Sequence, residues 1–427
     1  MSNQTRRTLL KGLGGSALAA SIASPAVATD AANPPFVIIG GGFGGATAAL
    51  ELKRLFPGSQ VTLIERSATY TACPFSNLVV GGLRELSAQQ FSYDGLRRLG
   101  IDVVIDEAIA VDPDGKSVSV AGGSSFDYER LILSPGIDLR WNAIEGYDDA
   151  AAERMPHAWK AGAQTELLWR QIEAMDDGGL VMMAAPAAPY RCPPGPYERA
   201  SLIANYLKTQ KPRSKLIILD SKDRFSKMPL FQKAWAELYP DHLEWRSATE
   251  DGRVSRVDAA LMSVETDFSY FTPDVANIIP PQKAGKIADI AGVADATGWC
   301  PINGLDFMST LVPDIHVIGD ASIANPMPKS AFSASLQARL CAFAIATPLA
   351  FDGAKPDPTT LANTCYSYVA PDQAVSISGV YTNEGGTLAS IPGAGGLSPI
   401  DDPVEARQLE AIEARDWFRT VTRGAFG

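Results

Sequence analysis

With 427 residues, 46% of them hydrophobic and 20% charged, the chain is long enough for two or three domains with ample core, and its composition excludes a disordered or collagen-like protein. A formal charge of −11 disfavours nucleic-acid binding, which needs cations against phosphate, and suits a basic protein partner. Three histidines (157, 242, 316) and five widely spaced cysteines (73, 192, 300, 341, 365) give neither a histidine metal site nor a Cys-x-x-Cys motif, so no metal is expected.

Residues 1–28 read as an export leader. Thr5-Arg6-Arg7-Thr8-Leu9-Leu10-Lys11 is a twin-arginine pattern, followed by an apolar Gly/Ala run and an Ala26-Val27-Ala28 cleavage signal. The mature chain is expected to begin near Thr29, in the periplasm, and to be more acidic for losing Arg6, Arg7 and Lys11. The twin-arginine route carries folded proteins, which suits a cofactor inserted before export.

Phe36–Ile39 predicts a short strand running into Gly40-Gly41-Gly42-Phe43-Gly44-Gly45 and then an apolar-periodic helix to Phe56. In this context the GxGxxG pattern has a mechanism. Gly40 allows a tight turn, Gly42 lets amides approach a pyrophosphate, and Gly45 lets helix and strand pack closely. The next strand, Val61–Ile64, ends at Glu65, placed to hold ribose hydroxyls, with Arg66 beside it. Further on, Phe126 to Leu133 followed by Ser134-Pro135-Gly136 resembles the segment that closes the first unit of flavoproteins with two dinucleotide-binding domains. Ile315 to Ile318 followed by Gly319-Asp320-Ala321 resembles their late strand, whose Asp holds the ribityl chain of FAD.

Between these segments a second strand–helix–strand unit is predicted: Gly179–Ala184, a helix over Glu198–Leu207, and Lys215–Leu219 ending at Asp220. Its turn carries no glycine triplet. It reads Ala185-Pro-Ala-Ala-Pro-Tyr-Arg-Cys192-Pro193-Pro194-Gly195-Pro196-Tyr197-Glu198, and prolines lack the amides that wrap a pyrophosphate, so no NAD site is expected. The fold class expected is α/β, with two Rossmann-like domains of the glutathione-reductase kind, the first discontinuous, and a C-terminal α+β interface domain. The boundaries are 29–145 with 287–360 for the FAD-binding domain, 146–286 for the second, and 361–427 for the last. Short segments at Val375–Ser378 and Val380–Tyr381 predict strands there, and Val404–Arg419 a charged helix with too little apolar face to enter a membrane.

Five segments together resemble the flavoprotein subunit of flavocytochrome c sulfide dehydrogenase: Tyr70-Thr-Ala-Cys73-Pro-Phe-Ser-Asn77, Arg191–Arg199, Gly298-Trp-Cys-Pro301, Ile318–Ala321 and Asn363-Thr-Cys-Tyr366. The resemblance spans nearly the whole mature chain. It implies a redox-active disulfide between Cys192 and Cys365, an acid/base at Glu198, a covalent flavin bond at Cys73, and a c-type cytochrome subunit that carries the haem this chain lacks. The chemistry implied is attack of hydrosulfide on the disulfide, with the electron pair passing to FAD. A helix opening at Lys329-Ser330 is expected to aim its positive end at the flavin, competing with ordinary packing; Glu198 is open in the same way between acid/base work and a helix-terminal charge. Cys341 reads as a packed thiol, and Cys300 is assigned no role. Sulfide:quinone oxidoreductase, a pyridine-nucleotide disulfide reductase, and a non-catalytic exported flavin scaffold are the alternatives.

Overall fold

Short strands that are apolar on both faces require cover on both sides, which parallel sheets flanked by helices supply. In chain order the elements that build the site are β1 (Phe36–Ile39), α1 (Phe43–Leu55), β2 (Val61–Glu65), β3 (Asp102–Ile105), β4 (Arg130–Leu133), β5 (Leu180–Ala185), α2 (Gly195–Gln210), β6 (Lys215–Asp220), α3 (Met228–Leu238), β7 (Leu243–Arg246), β8 (Val275–Ile278), β9 (Ile315–Val317), α4 (Ala331–Ala350), β10 (Thr360–Ala370), β11 (Gln373–Thr382) and α5 (Val404–Phe426). This computed structural model describes residues 33–427 apart from 351–353 and 355, and the leader expected over 1–28 lies outside the described residues.

The first sheet has the order β9-β4-β1-β2-β3, every pairing parallel. β9 enters it some 180 residues after β4, beside Leu131 to Leu133, so the first nucleotide-binding unit is discontinuous. The second sheet has the order β7-β6-β5-β8, also all parallel. Each sheet thus places its first two strands side by side with the third on one flank and a later strand on the other. This is the doubly wound plan, whose ligand crevice lies off the carboxyl ends of the strands. Apolar residues from one face of each sheet, among them Val37, Leu133, Val181 and Ile218, belong to one buried cluster. A second cluster packs α1 through Ala46, Ala49 and Leu52 against α4 through Ala338, Cys341 and Ile345.

The C-terminal region differs from the sequence expectation in extent. The two short strands expected at Val375–Ser378 and Val380–Tyr381 are one strand, β11, pairing antiparallel along nearly all of β10. Cys365, which has no apolar run around it, lies inside β10, whose buried positions include the polar Asn363 and Ser367, so its pattern is mixed. The helix expected to end at Arg419 continues to Phe426, since Val421, Ala425 and Phe426 are buried. α2 starts at Gly195, three residues before the expected start, with Pro196 in its first turn where a missing amide costs nothing.

Candidate functional site

The Gly-rich turn between β1 and α1 works through space as much as through flexibility. Gly40 adopts φ +99°, a left-handed conformation that favours glycine, and a Cβ at Gly45 would run into the carbonyl oxygen of Gly40. The backbone is thereby folded tightly enough that Gly41 N donates to Glu65 Oε2 at 2.7 Å, joining the turn to the end of β2. A cleft of about 390 Å³ opens here. It is lined by Gly40, Gly42, Phe43, Gly44, Glu65, Arg66, Cys73, Ser134, Pro135, Gly136, Gly319, Asp320 and Ser330 among others. Gly45 packs beneath the turn, and Ala321 is fully buried without lining the cleft.

Lys329 is also off the cleft wall. Its ammonium donates to the carbonyls of Asp320 (2.8 Å) and Ser322 (2.7 Å) and sits 4.0 Å from the centre of the Trp299 ring. Burial lowers it to about 8, against the opposing pull of Asp320 and then Cys300. The adjoining start of α4 does reach the cleft through Ser330, Ala331 and Ala334, and Ser330 Oγ accepts from Ser333 N at 3.1 Å as a cap. Cleft residues that the sequence reading passed over include Tyr70 and Arg191. Tyr70 stacks on Phe426 at 5.2 Å, so the end of α5 closes against the cleft wall. Arg191 donates to the Trp159 carbonyl and faces Asp320 Oδ2 at 3.9 Å.

These residues fit FAD. Asp320 Oδ1 is buried with no hydrogen-bond partner, and burial raises its carboxyl although Arg191 and Lys329 oppose the shift. A ribityl hydroxyl would satisfy that oxygen, Glu65 has lone pairs left for ribose hydroxyls, and the first turns of α1 and α4 offer amides to phosphate and ring.

A second group of reactive side chains stands behind Arg191. Cys192 has φ +54°, a strained position for a non-glycine residue, and its N–H donates to the Lys329 carbonyl at 2.9 Å. Cys365 is brought toward it because α2 packs on β10. Burial raises the Cys192 thiol, and Cys365 and then Glu198 push it the same way, so the three groups are near enough for their charges to act on one another. All five cysteines are thiols in this structure. Asn363, its Oδ1 accepting from Ser330 Oγ at 2.7 Å and Ser333 Oγ at 3.0 Å, donates through Nδ2 to Cys365 Sγ at 3.4 Å, tying this sulfur to the start of α4.

Glu198, in the first turn of α2, uses both oxygens: Oε2 accepts from Asn77 Nδ2 at 2.7 Å and Oε1 from Tyr368 N at 2.9 Å. Burial nonetheless raises its carboxyl above the ordinary range, which is what an acid/base working near neutrality needs. Beside it the buried guanidinium of Arg199 donates to Asn77 Oδ1, Asn277 Oδ1 and the carbonyls of His157 and Ala158, and lies 5.1 Å from the Trp159 ring. Burial drives His157 down to about 3, with Arg199 next in effect, so this histidine is neutral and takes no proton. Arg199 and Lys227, the latter buried near both cysteines, were missed in the sequence because an arginine in a helix and a lysine in a loop carry no pattern.

The second nucleotide-type turn is occupied by the chain itself. Asp220, the counterpart of Glu65 at the end of its strand, is fully buried and takes hydrogen bonds from Tyr197 Oη (2.6 Å), Trp245 Nε1 (3.0 Å) and Lys222 Nζ (2.6 Å). The Tyr197 and Phe225 rings stack at 3.6 Å, and Trp235 and Trp245 pack on Phe225 at 5.8 and 5.4 Å. The carboxylate of Asp220 is thus taken up by the chain's own donors, and the turn before α2 is rich in prolines, which have no amide to offer.

Comparisons with known proteins match three stretches of the chain. Residues 165–280 match the family "Sulfide dehydrogenase (flavocytochrome c) flavoprotein chain, central", and residues 357–426 match "Flavocytochrome c sulphide dehydrogenase, flavin-binding". Residues 34–165 match the broader pyridine nucleotide-disulphide oxidoreductase family. The flavoprotein chain of sulfide dehydrogenase from Chlorobaculum thiosulfatiphilum is 51% identical over 43 residues, which cover 10% of this chain and 90% of that sequence. This chain belongs to the family of flavocytochrome c sulfide dehydrogenase flavoprotein chains. It is accordingly a flavin-binding oxidoreductase of a sulfide-oxidising family. More distant relatives in that chemistry include the mitochondrial sulfide:quinone oxidoreductase of Mus musculus, 21% identical over 71% of this chain and 68% of that one. The crystal structure of sulfide:quinone oxidoreductase from Aquifex aeolicus superposes with a TM-score of 0.72 at 17% identity, covering 92% of each chain, and so shares the fold.

Proposed function

We propose that this chain is the flavoprotein subunit of an exported sulfide dehydrogenase that passes electrons from sulfide to a c-type cytochrome. The observation that carries the reading is the gathering of Cys192, Cys365 and Glu198 behind Arg191 at the flavin cleft, while the second nucleotide-type turn is filled with aromatic side chains. The electron donor then has to be something other than a pyridine nucleotide.

The chain's own part runs as follows. Glu198 takes a proton from hydrogen sulfide entering beside the cysteines. The resulting hydrosulfide attacks one sulfur of a Cys192–Cys365 disulfide; that S–S bond breaks, a persulfide forms on the attacked cysteine, and the other cysteine leaves as thiolate. A second hydrosulfide takes the outer sulfur of the persulfide and leaves as hydrogen disulfide anion, which restores that cysteine as a thiol; the thiol and thiolate then give up two electrons and a proton as the disulfide re-forms. Bound FAD supplies a two-electron acceptor that can pass electrons on singly. Arg191, Arg199, Lys227 and Lys329 surround the site against the buried acids Glu198 and Asp320, an excess of positive charge suited to anionic sulfur. Cys73, on the cleft wall, is proposed to bond the flavin.

Sulfide:quinone oxidoreductase is the second reading, favoured by the length of the match to the mouse enzyme. On α5, Val404, Leu409 and Ile412 are about half-exposed, but they share their face with exposed Glu405, Arg415, Asp416 and Arg419, which suits a protein partner better than lipid. The deciding experiment reduces the protein with sulfide and then offers horse-heart cytochrome c or a short-chain quinone. Reoxidation by cytochrome at least about tenfold faster than by quinone is expected, and the reverse order overturns the cytochrome reading. In the same assay Glu198→Gln should flatten the rise of the reduction rate with pH; an unchanged profile removes Glu198 from the proton path. Intact-mass measurement of the exported, denatured protein should give a chain starting near Thr29 with FAD attached, and Cys73→Ser should lose the FAD mass. An uncleaved chain, or flavin retained by the variant, contradicts the leader or the link respectively.

A further inference from the structure

Lys227 has so far been counted only as one of four cations around the site, yet its placement is costly. It lies in the loop between β6 and α3, at φ +62°, with 3% of its surface exposed. A buried ammonium must have its three donors satisfied, and here each one is: Nζ donates to the Cys365 carbonyl at 2.8 Å, Ser367 Oγ at 3.0 Å and the Val375 carbonyl at 3.1 Å. All three partners are uncharged. The bonds clamp β10 and β11 to a loop of the second nucleotide-type unit, and the first of them holds the backbone of a cysteine. Burial lowers the ammonium to about 8, while Cys365, Glu198, Cys192 and Glu410, in that order, pull it back up.

Two of those acids already have other partners. Glu198 is held by Asn77 and Tyr368, and Glu410 accepts from Ser376 and Ser398 and pairs with Arg407 at 3.3 Å. Arg191 and Arg199 are the other cations acting on Cys192, and of these two Arg191 faces Asp320. The cation whose first electrostatic neighbour is Cys365 is therefore Lys227.

We propose that Lys227 is the positioning residue of the cysteine pair: it pins the backbone of Cys365 and holds a positive charge where a thiolate is set free when the disulfide opens. The inference rests on the reading of Cys192 and Cys365 as the reactive pair. A thiol leaves a disulfide faster when its thiolate is stabilised, and the same stabilisation favours the reduced pair. Lys227 thus speeds opening and raises the reduction potential of the bridge.

The test alkylates the reduced, flavin-containing protein with iodoacetamide across a range of pH and reads each cysteine peptide by mass, with buried Cys300 and Cys341 as internal references. Lys227→Gln keeps a donor for the Cys365 carbonyl and removes the charge. Its alkylation midpoint for the pair should rise by about one pH unit, so that reaction below the midpoint slows about tenfold. In glutathione buffers its bridge should become more reducing by about 30 mV, the equivalent of that tenfold change. Lys227→Arg should keep the midpoint of the unmutated protein. A folded Gln variant with unmoved midpoint and potential overturns the proposal.

Should the Gln variant not fold, the unmutated protein still decides the matter. Linkage is reciprocal, so the ¹³Cε and ¹⁵Nζ signals of Lys227 must titrate higher with the pair reduced than with it oxidised. Equal values in the two states overturn the inference. Peptide mapping without reductant separates the two levels: absence of a Cys192–Cys365 bridge defeats the functional reading and the lysine's role together, whereas a bridge with unmoved titrations defeats the lysine's role alone.

Discussion

The two nucleotide-type units share a strand order and differ in what fills the crevice at the ends of their strands. In the first, the turn from β1 to α1 is so tight that Gly45 has no room for a Cβ, the amides after Gly41 face the cleft end of α1, and Glu65 is tied to the turn itself through Gly41 N. In the second, the turn from β5 to α2 carries four prolines and Cys192, and Asp220 is saturated by Tyr197, Trp245 and Lys222. The lesson is that sheet topology supplies a crevice but not a ligand. Turn chemistry and the occupancy of one carboxylate decide whether a dinucleotide can enter. The emptied role leaves the second turn free to present a cysteine, and its strained φ shows a backbone committed to that placement.

This contrast can be broken from either side. The largest effect is expected in the first unit, where Gly45→Ala forces a Cβ against the Gly40 carbonyl; at about 3 kcal/mol, flavin retention should fall more than about a hundredfold. The ratio of flavin to protein absorbance in the purified variant measures this, and an unmutated ratio would mean that the close turn is dispensable. A smaller effect is expected in the second unit, where Tyr197→Phe removes one of the four donors on buried Asp220. The cost should be about 1.5–3 kcal/mol, read as a lowered Tm or denaturant midpoint, with flavin content unchanged. An unmoved Tm would show that Asp220 does not depend on the aromatic filling, and the contrast between the two acids would weaken.

Much of this frame was legible in the sequence because its signals are local. β1 was expected and is found at Phe36–Ile39, and the GxGxxG turn and Glu65 follow at the expected spacing. The proline-filled turn marks the second unit as different in the sequence itself, since a missing amide is a property of the residue. What stayed illegible depends on distance in space. Nothing in the string near Ser226-Lys227-Met228 says that its ammonium meets the Cys365 carbonyl 138 residues later. The saturation of Asp220 by Trp245 required knowing that β7 lies beside β6. The strand holding Cys365 lacks a clean alternation because it buries the polar Asn363 and Ser367 along with its apolar residues, and α5 extends past its expected end because its buried C-terminal turn includes Thr422 among the apolar residues.

The measurement that tests the central claim most directly is anaerobic stopped-flow reduction of the bound flavin by sulfide and by NADH, in the unmutated protein and in Cys365→Ser. Sulfide should bleach the unmutated flavin, and NADH should do so at least about a thousandfold more slowly. Cys365→Ser should lose the sulfide response while keeping its flavin. Bleaching by NADH at a rate comparable to sulfide, or an undiminished sulfide response without Cys365, would contradict the account.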